Sequence, residues 1–182
     1  METAKKIASR RSFLTGSSAA ASAAAFTIVK PELVSGWAPA KLKVGLIGAG
    51  GRGRQAVIDA FRGDPAVELH SMGDIFEDKL EGNLKWLRDQ AQKMGMADRI
   101  QVKPETRFVG FDAYKKVLAT DIDVVFLCAP PGWRPEHFEA AVRAGKHVFC
   151  EKPFGVDATG VRRCMEAARE SERRRLTVVS GA

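Results

Sequence analysis

Beyond residue 40 the hydrophobic positions follow two alternating periods. Short, largely apolar runs occupy residues 42–47, 66–72, 122–128, 147–150 and 176–179, each preceded by proline or a charged residue. Runs this short and this apolar read as strands buried on both faces. Between them the spacing changes to three and four. Val57, Ala60 and Phe61 share a face over 54–62, and Gly63-Asp64-Pro65 ends that helix. Leu80, Leu84, Leu87, Ala91 and Met94 give an amphipathic helix over 78–94, with Gly95 beyond its end. Residues 112–119 form a short helix, and Pro135 suits the first turn of another that Gly145 stops. Asp157 is placed to cap a helix reaching about Arg174. Residues 100–102 are a brief strand candidate, which brings the strands to about six. Strands joined by helical or long crossovers predict an α/β fold, a doubly wound parallel sheet with helices on both faces.

In such sheets ligands bind where the strands end. Gly48-Ala49-Gly50-Gly51-Arg52-Gly53 satisfies G-x-G-x-x-G between the first strand and the first helix. Gly48 permits the tight turn, Gly50 lets backbone approach a pyrophosphate, and Gly53 lets the helix pack closely on the strand. Gly51 and Arg52 complete the phosphate loop, and the helix N-terminus adds free N–H groups and partial positive charge. Asp74 ends the second strand 21 residues after Gly53, where a carboxylate would hold the ribose hydroxyls. A carboxylate there repels the 2′-phosphate of NADP, and Ile75-Phe76-Glu77-Asp78 supplies no compensating cation. The expected cofactor is therefore NAD rather than NADP, held by a Rossmann-like domain over 41–182.

The 182 residues are 45% hydrophobic and 28% charged, enough for one cored domain and unlike disordered, collagenous or disulfide-scaffold chains. The net charge of +7 is unevenly spread. Lys5, Lys6, Arg10, Arg11 and Lys30 against Glu2 and Glu32 put +3 in the first forty residues. The remaining 24 basic and 20 acidic residues leave a mild excess that does not argue for a nucleic-acid partner. Arg162, Arg163, Arg169, Arg173, Arg174 and Arg175 interleave with Glu166, Glu170 and Glu172 at helix spacing, the pattern of an ion-paired solvated face. Cys128, Cys150 and Cys164 cannot all pair with one another and have no metal-type spacing, so no metal site is expected. Cys128 and Cys150 read as small buried residues, and His70 and His147 as structural.

The first forty residues read as an address. Ser9-Arg10-Arg11-Ser12-Phe13-Leu14 is a twin-arginine pattern, followed by an Ala-rich segment over 14–29 that Gly16, Ser17, Ser18 and Ser22 interrupt. A charged n-region before a short, weakly apolar h-region is the layout of a bacterial export signal, and the arginine pair points to the Tat machinery. Cleavage after Ala23, Ala25 or Ala40 and retention as a membrane anchor are all left open. The expected location is periplasmic or otherwise extracytoplasmic.

Two further strings carry a family resemblance. The fourth strand and its loop, Asp123-Val124-Val125-Phe126-Leu127-Cys128-Ala129-Pro130-Pro131, lead into Pro135-Glu136-His137. Ala144-Gly145-Lys146-His147-Val148-Phe149-Cys150-Glu151-Lys152-Pro153 follows. From Leu42 onward the chain resembles the N-terminal domain of the Gfo/Idh/MocA oxidoreductases, the family of glucose–fructose oxidoreductase and inositol dehydrogenase. The resemblance implies that Ala129, Pro130 and His137 border the cofactor and that Glu151 lies beside the nicotinamide ribose. It implies that Lys152 reaches the hydroxyl of the reacting carbon, where a fixed ammonium would stabilise developing negative charge. A cis bond at Pro153 would orient it. Trp133 would shape the pocket or pack its loop.

The family's second, substrate-binding domain is absent from these 182 residues. A chain ending there is expected to bind nucleotide and turn over little alone, as a fragment or a truncated reading frame. Three functions follow from the resemblance. The leading one is an exported oxidoreductase moving hydride to or from a sugar, polyol or related hydroxy compound, a homo-oligomer at full length. An NAD-dependent glycoside hydrolase is the second, disfavoured by Lys152, and a non-catalytic nucleotide-binding module the third.

Overall fold

The computed structural model describes residues 41–181. The export-signal expectation, over 1–40, lies outside the described residues. Six strands form one sheet: β1 (Leu42–Ile47), β2 (Val67–Asp74), β3 (Arg107–Val109), β4 (Val124–Leu127), β5 (His147–Cys150) and β6 (Val178–Ser180). They are parallel throughout and lie in the order β3-β2-β1-β4-β5-β6. This order places the reversal of winding between β1 and β4, which leaves a crevice above their carboxyl ends.

Helices α1 (Gly51–Gly63), α2 (Glu77–Lys93), α3 (Ala113–Leu118), α4 (Arg134–Arg143) and α5 (Ala158–Arg173) cover both faces. The alternation of side chains along β1 divides the core. Val44 and Leu46 pack with Phe61 of α1 and with Leu80, Leu84 and Leu87 of α2. Ile47 turns to the opposite face, with Val117 of α3, Phe138 of α4 and Ala167 of α5. Gly45 points to that second face as well, where a β-carbon would sit 2.6 Å from Ile122. Its small size lets α3 lie directly on the sheet.

Five of the six expected strands and all five helices recur within a few residues. Asp157 caps α5 by accepting from the Gly160 amide. Gly95 and Gly145 take positive φ just past their helices. The third strand is the correction. Residues 100–102 make a single parallel bridge, Ile100 to Leu69, and Gln101 N–H donates to Leu69 O. Pro104 then opens a 3-10 turn, and β3 forms at Arg107–Val109 against Met72–Asp74. Proline has no N–H for the ladder, so pairing stops and resumes one turn later. Expected ion pairs on α5 join Glu170 to Arg173 and Arg174, while Arg163 reaches Glu139 of α4.

Phe61 is 1% exposed and anchors α1 to the first core half. Replacing it with alanine is expected to cost about 3–5 kcal/mol. Urea unfolding of Phe61→Ala beside the parent measures this; an unchanged midpoint would mean that α1 is not held by that face.

Candidate functional site

The loop from β1 to α1 carries the first part of the site. Gly48 has φ of +91°, and a β-carbon on it would lie 2.3 Å from the Ala129 nitrogen. A β-carbon on Gly53 would lie 2.1 Å from the Gly48 carbonyl oxygen. Both glycines are thus required by contacts within the protein. Gly50 is different: its φ is −76°, and a β-carbon there meets nothing within 4 Å. Nothing in the protein requires glycine at that position, which opens onto the crevice. Helix α1 follows with no side-chain cap and no acidic residue in its first turn, so its leading N–H groups and dipole face the same space.

The crevice is a cleft of about 690 Å³. Of the residues assigned to the site from the sequence, Gly48, Gly50, Gly51, Arg52, Asp74, Ala129, Pro130, His137, Glu151 and Lys152 line it. Gly53 is buried beneath, against Gly48. The structure therefore brings the predicted set to one place, contributed by the carboxyl ends of β1, β2, β4 and β5.

Each acid on the wall is tied to the glycine loop. Asp74 Oδ2 accepts from the Ala49 amide at 2.7 Å, and Oδ1 from the Phe76 amide at 3.0 Å. Each carboxylate oxygen has a second lone pair, so capacity for ribose hydroxyls is left. Glu151 is 4% exposed, and its Oε1 accepts from Arg52 Nε at 2.8 Å and Nη2 at 2.6 Å. That bond is the main reason the guanidinium pKa is raised. Arg52 thus meets Glu151 across the cleft, a pairing not foreseen in the sequence.

His137 lies against Tyr114, ring centroids 4.5 Å apart, with Nδ1 buried and unpartnered. Burial, with a smaller contribution from Arg134 and opposed by Glu136, pushes its pKa down to about 4. The imidazole is neutral at pH 7. Lys152 is exposed on the wall next to Glu151, and the Lys152–Pro153 bond is cis. Burial first, and Glu151 second, pushes the Cys128 thiol up to about 12; burial also lifts Cys150 to about 12. All three cysteines are free. His70 bonds Glu68, and His147 Nδ1 accepts from the Thr177 amide, both structural roles.

Several lining residues were not assigned from the sequence. Phe76 and Lys79 follow β2, and Phe111 and Tyr114 follow β3. Phe111 and Trp133 pack with ring centroids 5.6 Å apart at the rim. With the third strand expected at 100–102, the strand end that carries Gly110 and Phe111 falls in a connecting stretch, although a glycine followed by an aromatic before the 112–119 helix is a visible signal. Arg134 also lines the cleft and was missed, hidden inside a helix start.

The fold and cleft define a dinucleotide-binding domain. The family model described as "Oxidoreductase family, NAD-binding Rossmann fold" matches residues 42–180, and the chain belongs to that family, Gfo/Idh/MocA. Inositol 2-dehydrogenase of Pseudomonas syringae pv. syringae (strain B728a) is 33% identical over 140 residues, 75% of this chain and 36% of the relative. A crystal structure of an NAD binding oxidoreductase from Klebsiella pneumoniae matches with TM-score 0.55 and 27% identity, covering 78% of this chain and 34% of that one. Scyllo-inositol dehydrogenase from Lactobacillus casei, solved with NAD(H) and scyllo-inositol, shares the fold with TM-score 0.57 and 24% identity over 78% of this chain and 36% of that one. The chain thus spans about a third of the length of these relatives.

Two outcomes test the site. Gly53→Ala is expected to destabilise by about 2 kcal/mol or more through its backbone clash. Gly50→Ala should leave the urea midpoint within about 0.5 kcal/mol of the parent's, yet weaken NAD binding about tenfold. Equal NAD affinity in Gly50→Ala would mean the pyrophosphate does not approach that atom. The second concerns pH. The folded pKa of His137 lies below the usual 6.5, so its penalty is absent at pH 7. As pH falls from about 6.5 to about 4 the unfolded chain takes up the proton first, and the folded state loses on the order of 3 kcal/mol. Denaturation midpoints of His137→Gln beside the parent from pH 7 to 4 should diverge; parallel curves would mean the imidazole is not buried neutral.

Proposed function

We propose that residues 41–182 are the NAD-binding part of an exported oxidoreductase that moves hydride to or from the carbinol carbon of a polyol, sugar or related hydroxy compound. The observation that carries this reading is the placement of Lys152 on the wall of the same cleft into which Gly50 and the bare N-terminus of α1 open. Inositol 2-dehydrogenases among the relatives support the polyol class.

Bound NAD supplies the hydride acceptor or, when reduced, the donor. The residues of this chain do the rest. Gly50, Gly51 and the first amides of α1 would hold the diphosphate, and Asp74 the adenosine ribose. Glu151, fixed by Arg52, would face the nicotinamide ribose. Ala129, Pro130 and His137 would border the ring, with the neutral imidazole adding no charge beside it. The Lys152 ammonium would stand at the substrate oxygen, stabilising negative charge as the hydroxyl proton leaves. A second domain would supply the substrate pocket, the acid–base group and the surface for homo-oligomerisation. Lysine after Glu151 favours net hydride transfer over the glycoside-cleaving branch. Ser9-Arg10-Arg11-Ser12-Phe13-Leu14 supports export through the Tat machinery, with the cofactor carried folded into the protein.

The test is reduction of NAD by the protein from its native host in the presence of myo-inositol, scyllo-inositol or glucose. Lys152→Met should lower kcat by about 10²-fold with NADH affinity nearly unchanged. Glycoside cleavage without cofactor reduction, or full turnover in Lys152→Met, would overturn the reading.

A further inference from the structure

We propose that Arg134 is a positioning residue that staples the loop after β5, and with it Lys152, to the loop after β4, so that the nicotinamide half of the cleft is assembled before ligand arrives. The inference rests on the functional reading above only for what the assembled half is used for.

Two features of Arg134 are unfavourable by themselves. It is the first residue of α4, where a cation opposes the helix dipole, and it is only 3% exposed. No carboxylate lies within ion-pair distance among the described residues, and Nε is buried without a partner. A buried, unpaired cation is costly unless hydrogen bonds offset its desolvation. Two carbonyls do so here. Nη2 donates to Ala129 O at 2.6 Å, and Nη1 donates to Pro153 O.

Those carbonyls belong to the two loops that carry the assigned residues. The last ladder bond between β4 and β5 runs from the Glu151 amide to Leu127 O. Past it, among the described residues, no backbone hydrogen bond joins 128–133 to 151–157. The chain diverges there, and the guanidinium fork spans the gap. Its planar, always-charged group can serve both acceptors in fixed geometry, which one lysine ammonium on a flexible stem does less well. Because Pro153 follows Lys152 directly, fixing its carbonyl limits where the Lys152 backbone can go. Displacements near 1 Å at such a position can cost about 10²-fold in rate or the matching loss of binding.

The experiment compares the full chain with Arg134→Met and Arg134→Lys by hydrogen exchange and by binding of NADH and ADP. ADP carries the groups that meet the glycine loop and Asp74 but no nicotinamide half. In Arg134→Met, the amides of Ala129, Gly132 and Trp133 and of Glu151, Lys152, Phe154 and Gly155 are expected to exchange about tenfold faster or more, with those of β1 and α1 unchanged. NADH affinity should fall about tenfold while ADP affinity stays within about twofold. Arg134→Lys should fall between, and it carries the same comparison if Arg134→Met does not fold. Unchanged exchange in the two loops, or parallel loss of NADH and ADP, overturns the proposal. A parent chain that binds neither nucleotide overturns the functional reading instead, and the exchange result still judges the staple alone.

Discussion

The backbone of Gly48 passes so close to Ala129 that no side chain fits between them. That approach is the constraint on which the site depends. It sets β1 beside β4 where the sheet reverses its winding, and the Gly48 amide donates back to Gly73 O of β2. The first turn of α1 is then seated on Gly48 through Gly53. Three strand ends and one helix start meet at a single residue, which leaves the amide-lined space above them to a ligand.

Side chains then fasten this junction sideways. Asp74 pulls the loop toward β2 through the Ala49 amide, and Arg52 reaches toward β5 through Glu151. The glycine loop is therefore tethered on both sides by the acids that would meet the two riboses. Such a site is largely preformed, and preformed sites lose less ordering entropy on binding. The tethers also mean that Asp74 and Glu151 hold the loop as well as any ligand, so removing either carboxylate would change loop position and ribose contacts together.

Much of this was legible in the sequence because it is written in local patterns. A glycine string after an apolar run, an acid at the next strand's end and the Glu151-Lys152-Pro153 string each point to one strand terminus. Parallel topology then brings those termini together. What escaped was non-local or broken by one residue. β3 is three residues long and displaced by Pro104, so the alternating Ile100-Gln101-Val102 was the stronger local signal. The strand end that brings Phe111 to the cleft was lost with it. Arg52 gave no sign of its partner, because Glu151 is 99 residues away in sequence.

Charge explains why the unforeseen residues matter. The cleft wall holds Arg52, Lys79, Arg134 and Lys152 against Asp74 and Glu151. Arg52 is matched by Glu151, whereas Arg134 faces only carbonyl oxygens. Together with the uncapped start of α1, this leaves the cleft with an excess of positive potential, suited to a ligand bearing a diphosphate. His137 adds nothing to that excess, since burial keeps it neutral. The attraction for phosphate and the placement of Lys152 thus come from separate sources, the uncapped start of α1 with Lys79 on one side and Arg134 beyond β4 on the other. A chain that needs both to bind an anion and to present a lysine gains from that separation, because each can be held rigid without disturbing the other.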